Sequence, residues 1–573
     1  MAMSRMVEIA VGLALIACSA IGQPKGPADP TDRKLKAKID LLASKIVAKE
    51  GPGFSVAVVK DQKILLCEAY GLANVETGTP MTTETVLNVG SVSKHFTAWA
   101  ILLLEQRGLL STADDVHKHL PELPGYGSPL TLAHLLYQTS GLPEYLKLFK
   151  YAGLFPSDHR TFSDVHEILK AGAGLEYPPG TRWSYSNTNY ALLAEIIQRR
   201  TGQTFSAWIQ DNLFGPLGMG RTRVPESEVA IVEDRAESYW CSEGALKKYI
   251  TNARIPGPTL VYTSAADMAR WMLNFRNNQI GGAALFEKLC TPGRLTSGEE
   301  APYAMGLAQG QYRGNATVGH AGSDAAFVSD MTYCPQSDLG VAVLCNSANI
   351  DPLEVRNAVL DLVLFGETSL KRTESKTRAA PPFPSGEAGA LRERLLGTYR
   401  LEGGGDLVCL SVDGEETWGT YLGQGNVRLI PKDGGSVSNA EGDIVVRALA
   451  PEAGPAEKIE LNLKGTLLTA SRIPESTKEP AGPAAVTGLY YSPVLGAVYS
   501  ITREDGRLKV SQRRSVGTHD LACAGKDILV CSLGELRLAR DAAGDVTGFT
   551  LWHESVGGFS FSRVYLGGKP ARG

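Results

Sequence analysis

The chain is poor in cysteine, in net charge and in long apolar runs, and each shortage closes off a class of protein. Nine cysteines in 573 residues are too few for a disulfide scaffold. None falls in a C-x-x-C, so the usual signatures of structural zinc and thioredoxin-like redox chemistry are missing. The eight cysteines beyond Cys18 allow about 105 complete pairings, which leaves connectivity open. Cys523 and Cys531 flank the turn-like Ala524-Gly525-Lys526-Asp527; buried thiols in strands are the preferred reading, a pair across a hairpin the other. Against 57 Lys+Arg stand 61 Asp+Glu, a net charge of −4 and a pI of 6.2, so there is no basic stripe for nucleic acid. No apolar run reaches the ~18 residues of a membrane span. There is no G-x-S-x-G, hence no nucleophile elbow of the α/β-hydrolase kind. His117-Lys118-His119 lacks a third ligand at metal-site spacing and reads as a surface loop. The glycine run 403–405 lacks the strand–helix setting of a phosphate site. Neither a metal nor an organic cofactor is expected.

What is present begins with an export signal. Arg5 precedes an apolar run at 9–17, followed by small residues; this is too short to cross a bilayer and reads as a signal peptide over 1–22. Leu15-Ile16-Ala17-Cys18 resembles a lipobox that would leave Cys18 lipidated, whereas Ala20-Ile21-Gly22 offers ordinary cleavage before Gln23. Glu8 is atypical under either reading. The protein is expected to be exported, either secreted, periplasmic or tethered to a membrane through Cys18 alone.

With 43% hydrophobic and 21% charged residues, the rest has globular composition and room for about three or four domains. Residues 32–366 intermix strands and helices. Segments 54–59 and 63–70 form one expected hairpin, and 326–333 with 340–344 a second around Pro335-Gln336-Ser337-Asp338. Segment 92–106 is apolar and free of Gly and Pro, a buried helix ended by Gly108, while 190–200 and 353–364 repeat apolar residues at helical spacing. A polar stretch at 367–388, with Pro381, Pro382 and Pro384, reads as a linker. Beyond it short strands alternate with Gly- and Asp-rich turns. Leu396-Gly397-Thr398-Tyr399 and Thr487-Gly488-Leu489-Tyr490 open two similar segments 91 residues apart. These predict two copies of a small β-barrel or sandwich, 389–474 and 486–570, joined by a linker at 475–485.

Ser91-Val92-Ser93-Lys94 is the only S-x-x-K in the chain, and it opens the apolar helix. Three residues apart on a helix, Ser91 and Lys94 share a face. A serine hydroxyl is a poor nucleophile until a neighbour takes its proton, and a desolvated lysine can do so. Alone the motif equally describes a capping serine before a solvated lysine. Two further elements follow in order: Tyr185-Ser186-Asn187 just before the second helix, and Gly319-His320-Ala321-Gly322-Ser323 leading into the second hairpin.

Together these resemble the three motifs of the penicillin-recognising serine hydrolases, S-x-x-K, Y-[SA]-N and K-T-G or its H-x-G variant. The branch is the one holding class C β-lactamases, D,D-carboxypeptidases, D-aminopeptidases and related esterases. The runs His134-Leu135-Leu136-Tyr137-Gln138-Thr139-Ser140-Gly141-Leu142-Pro143 and Ala266-Asp267-Met268-Ala269-Arg270-Trp271 support the resemblance, which covers about 34–366. It implies an α+β fold, an antiparallel sheet flanked by helices, followed here by the two all-β barrels. It implies Ser91 as the acylated nucleophile, Lys94 as its proton partner and Tyr185 as phenolic base or shuttle. Asn187 would orient Lys94 and hold a substrate amide. The N–H groups of Ser91 and Ser323 would form the oxyanion hole, with Gly322 and His320 on an edge strand facing the substrate.

Where related β-lactamases keep a lysine, His320 is largely neutral at pH 7 and holds a substrate carboxylate less well. The expected substrates are therefore small esters, amides or short peptides, D-residues included. The alternatives are β-lactams or cell-wall peptides, and, in another class, a non-catalytic sensor of cell-wall fragments. The three-part layout is similar to D-aminopeptidases, in which a loop of the last barrel reaches the active site. The corresponding stretch is Gln512-Arg513-Arg514-Ser515-Val516-Gly517-Thr518-His519-Asp520, where Asp520 suits an ammonium and the two arginines oppose one; solvated loop residues are the preferred reading. Oligomeric state is not legible.

Overall fold

The protein is described from a computed structural model. Its described residues are 30–366, apart from 155–157, 171–173, 228 and 243–244, and 391–565, apart from 392, 403–406, 414–415, 422–426, 433–435, 440–443, 450–453, 464–465, 474–485, 505, 513–517, 526, 532 and 554–556. Residues 1–22 with Cys18, read above as a signal peptide, the stretches read as linkers and the 403–405 glycine run lie outside them.

The two expected hairpins meet in one sheet. Strands Phe54–Lys60 and Lys63–Tyr70 turn at Asp61 and Gln62, both at positive φ; Phe327–Cys334 and Leu339–Cys345 turn through Pro335–Ser337. The sheet has six antiparallel strands in the order Ala308–Tyr312, Asn315–Asp324, Phe327–Cys334, Leu339–Cys345, Phe54–Lys60, Lys63–Tyr70. The first strand in the chain thus pairs with the last of this domain, Val58 opposite Val341. Phe54–Val59 is buried on both sides because alternate residues serve different layers. Phe54, Val56 and Val58 meet the outer helices Pro30–Ile46 and Pro352–Phe365 through Ile39, Val355 and Val359, whereas Ala57 and Val59 face the inner helical lobe.

That lobe is centred on helix Ser93–Gln106, whose residues Ser93 to Leu104 are all buried. A helix apolar on all sides must lie inside, and this one is enclosed by helices Asn187–Thr201, Ala265–Asn277 and Gly282–Cys290. Next to Lys94, His95 is wholly enclosed by Phe96, Trp271 and Phe275, and neither of its ring nitrogens has a hydrogen-bond partner. Burial holds its pKa well below the ordinary value near 6.5. The folded state keeps this ring neutral while the unfolded chain binds a proton, so stability is lost as pH falls below about 6.5, by up to ~1.4 kcal/mol per unit. Thermal melts at about pH 7 and pH 5 should show that loss, and His95→Leu, which does not titrate, should narrow the gap.

Eight short strands of the first domain pair into four two-stranded sheets, and the described strands beyond residue 391 close into two barrels of eight, from Gly397–Leu401 to Thr466–Arg472 and from Gly488–Ser492 to Gly557–Val564. The repeat at 91 residues is structural. Tyr399 and Tyr490 donate to the carbonyls of Leu395 and Val486, and Arg472 and Arg563 lie over the two tyrosine rings. A side chain on Gly397 or Gly488 would press on Arg472 or Arg563, at 2.2 and 3.2 Å. Cys523 stands opposite Leu529, not Cys531, so the cross-hairpin pairing does not form.

His117 and His119 are not a solvated pair: His117 binds Asp115 (2.7 Å), and His119, buried, binds Asp114 (3.0 Å). Asp115 raises the His117 pKa and pairs with it as an ion, whereas burial lowers that of His119, which holds Asp114 by a hydrogen bond; no cluster of metal-ligand type occurs among the described residues. Residues 513–517, Arg513 and Arg514 among them, lie outside the described residues; Gln512 ends one strand of the second barrel and Thr518 begins the next. Asp520 is exposed, opposite Lys509 and 3.9 Å from Arg507, while Gln512 is buried against the first domain. Among the described residues no helix is long and apolar enough to cross a membrane.

Candidate active site

Ser91 lies in the 3-10 turn Gly90–Val92, immediately ahead of helix Ser93–Gln106, and caps nothing. The turn is shaped by neighbours of no obvious chemistry. Asn88 accepts from the Gly90 N–H at 2.9 Å, and Gly90 sits at φ +50 with its α-carbon against the Ser323 main chain, where a Cβ would be only 2.5 Å from the Ser323 nitrogen. Ser91 is half-exposed within an otherwise buried run, and Lys94, one turn on, has no exposed surface.

The lysine has three partners. Its Nζ lies 2.9 Å from Ser91 Oγ, 2.7 Å from Asn187 Oδ1 and 3.0 Å from the Pro258 carbonyl. Two of these are acceptors only, whereas a hydroxyl can also donate. A neutral amine has two N–H groups and one lone pair, so satisfying both carbonyl oxygens leaves the lone pair on Ser91. Burial favours that neutral form: it pulls the Lys94 pKa down to about 7, against the opposing pull of Glu144 and Asp324.

Tyr185 and Asn187 stand where the second helix begins, at Asn187 rather than at the expected residue 190. The 134–143 run explains its own presence here. Gln138 Oε1 accepts from the Ser186 N–H and from Asn189 Nδ2, and Ser140 Oγ donates to Asn189 Oδ1, so this loop braces the tyrosine turn. Lys94 Nζ lies over the Tyr185 ring, 4.7 Å from its centre, rather than at its hydroxyl. That hydroxyl lies beside Ser91 without a hydrogen bond of normal geometry, and burial pushes the phenol well above its usual range. Tyr185 is therefore a protonated phenol at neutral pH.

The third motif lies on strand Asn315–Asp324. This strand is second in the sheet, but its outer neighbour ends where Ala308 pairs with Gly319. From His320 to Ser323 the sheet edge is open, as the expected edge position required. Gly322 is indispensable to the fit, since a Cβ there would be 2.0 Å from the Val89 carbonyl, 2.5 Å from Ser329 Oγ and 3.1 Å from the Ser91 nitrogen. His320 is locked: Nδ1 donates to the Ala321 carbonyl, which fixes Nε2 as acceptor for the Tyr303 hydroxyl at 2.9 Å. Burial in the pocket, then the Lys94 charge, push its pKa down to about 3. It presents no cation.

Sequence reasoning found Ser91, Lys94, Tyr185, Asn187, His320, Gly322 and Ser323, and the structure brings all seven together. It missed Glu144, Pro258, Tyr303 and Asp324. Glu144 directly follows the 134–143 run, so that signal was within one residue. Pro258 contributes a carbonyl, which no side-chain motif can announce.

A serine bonded to a lysine of the helix it precedes, beneath the open edge of an antiparallel sheet backed by helices, is the arrangement of the β-lactamase/transpeptidase-like serine hydrolases. The chain belongs to the beta-lactamase family, whose family model matches residues 39–365. It is 27% identical to a D-aminopeptidase of Gluconobacter oxydans over 377 residues, 62% of this chain and 70% of that protein. It is 27% identical to penicillin-binding protein 4* of Bacillus subtilis over 423 residues, 70% of this chain and 88% of that one. The solved octameric penicillin-binding protein homologue from Pyrococcus abyssi is similar with a TM-score of 0.52 and 26% identity, over 76% of this chain and 99% of that one.

Proposed function

We propose that this protein hydrolyses small esters, amides and short peptides, D-residues included, through an acyl-enzyme on Ser91. The observation that carries this reading is the placement of Lys94, whose two carbonyl partners leave its lone pair for the serine. Neutral Lys94 takes the Ser91 proton as Oγ bonds to the substrate carbonyl carbon. The carbonyl oxygen becomes an oxyanion between the N–H groups of Ser91 and Ser323, a pairing supported by the close fit of Gly90 and Gly322. As the tetrahedral adduct collapses, the proton passes to the leaving amine or alkoxide from Lys94, with the Tyr185 phenol as relay. Water then repeats the sequence on the acyl-enzyme, with Lys94 again taking a proton, and frees the acid.

The choice of substrate follows the charges. The ionisable groups that act on Lys94 are the carboxylates Glu144 and Asp324, and His320 is neutral. That balance favours a substrate bearing an amine over one bearing a carboxylate, in line with the resemblance to a D-aminopeptidase. A second reading, turnover of β-lactams or cell-wall peptides, is supported by the similarity to penicillin-binding protein 4*. Assays with D-alanine p-nitroanilide, p-nitrophenyl butyrate and nitrocefin separate the two. The account expects the anilide or the ester to be turned over far faster than nitrocefin; nitrocefin as the best substrate would favour the second reading.

A further inference from the structure

The mechanism above leaves Glu144 unused, although it is a half-buried carboxylate beside the reacting groups. It accepts three N–H donors: the Asn187 backbone on Oε2, and Asn187 Nδ2 (3.2 Å) and the Leu146 backbone (3.1 Å) on Oε1. A protonated carboxyl would waste one of these contacts, so the arrangement suits the anion, even though burial pushes the group above the usual carboxylate range. The consequence for Asn187 is specific. With Nδ2 committed to Glu144, the amide can present only Oδ1 to Lys94. A flipped amide would offer N–H instead, and the neutral lysine would turn its lone pair away from Ser91.

Glu144 is itself held from two directions. Next to it, Tyr145 N–H donates to Thr188 Oγ1 at 2.9 Å, and Thr188 Oγ1 donates to the Pro143 carbonyl at 2.6 Å. Glu144 also caps the short helix Tyr145–Tyr151. The far end of that helix is gripped by the second barrel. Tyr499 Oη donates to the Tyr151 carbonyl at 2.9 Å, and Gln512 Nε2 donates to the Lys150 carbonyl at 2.8 Å and to Tyr499 Oη at 2.7 Å. Phe559 meets the Tyr151 ring with centroids 6.2 Å apart. Tyr499, Gln512 and Phe559 are buried, and the apolar cluster of the inner lobe runs on into this barrel without a break.

We propose that Glu144 is a positioning residue that fixes the Asn187 amide and so aims Lys94 at Ser91, and that the second barrel keeps it in place by gripping the other end of the helix it caps. The inference rests on Ser91 and Lys94 acting as described above. The groups facing Lys94 are Glu144 from this loop, Asp324 and His320 from the strand, and Tyr185 and Tyr190 from the second helix and the turn before it.

The test measures kcat, KM and the pH profile of the full chain on p-nitrophenyl butyrate for wild type, Ser91→Ala, Glu144→Gln and the pair Tyr499→Phe with Gln512→Leu. Glu144→Gln should lower kcat by about 10- to 100-fold, part of the ~10²–10⁴ that a general base supplies, with KM little changed. Its ascending pH limb should move about one unit lower, because a negative charge that favours the lysine ammonium is gone. The barrel pair should lower kcat by about 2- to 30-fold, the usual size of coupling through a packed element. A kcat within about two-fold of wild type and an unmoved limb in Glu144→Gln would overturn the role of Glu144. An effect in Glu144→Gln with none in the barrel pair would overturn the role of the barrel. Activity surviving Ser91→Ala would instead count against the nucleophile itself, so the two failures are distinguishable.

Discussion

Lys94→Met is expected to lower kcat/KM by about 10³-fold, within the ~10²–10⁴ range for loss of a general base. Methionine is nearly the same length and apolar, so it suits a site with no exposed surface and should spare the fold. What it removes is, among the described residues, the only group within hydrogen-bonding distance of Ser91 Oγ that can take a proton at neutral pH. Lys94→Arg should not rescue the loss, because a guanidinium stays protonated and has no lone pair to offer. The wild type adds a pH signature. In the proposed mechanism activity depends on neutral Lys94, whose pKa is about 7, so kcat/KM should rise with pH through that value and then level off. In either Lys94 variant the residual activity should lack that limb. Steady-state kinetics across the pH range check both points.

Gly322→Ala is expected to lower kcat/KM by about 10²- to 10³-fold, the loss typical of removing one oxyanion donor. The added methyl would be 2.0 Å from the Val89 carbonyl and 2.5 Å from Ser329 Oγ, and neither can retreat. Ser329 Oγ is tied to that same carbonyl at 2.8 Å, and Val89 N–H donates to the Val261 carbonyl at 3.0 Å. The strand must therefore move outward, taking the Ser323 N–H away from Ser91. Since the sheet edge is open from His320 onward, the shift stays local. A loss of activity with only a small fall in Tm is the expected pair of results; full activity would show that the Ser323 N–H is not an oxyanion donor.

The motifs were legible because their chemistry ties residues together at short range. Ser91 and Lys94 must lie one helical turn apart, and Tyr185 and Asn187 must flank a single helix start. The glycines were legible as letters, but their reason, contact between the turn at Gly90 and the strand at Gly322, is a long-range fact. Tyr303 is 17 residues from His320 and gives no local sign that it fixes the imidazole tautomer. The two barrels announced themselves through the Gly–Tyr repeat, whose tyrosines and glycines have fixed structural duties, yet the closure of eight strands in each is set by cross-strand register. The Tyr185 phenol was expected to need a nearby cation to act as base; the Lys94 amine lies over its ring rather than at its hydroxyl, and burial raises the phenol pKa further.

The most direct test of the account is intact-mass measurement of the protein quenched during turnover of a slowly hydrolysed ester, in wild type and Ser91→Ala. The account predicts one added acyl mass in the wild type, mapped to the peptide containing Ser91, and neither adduct nor turnover in the variant. Turnover that persists in Ser91→Ala, or an adduct mapping to another residue, would contradict it.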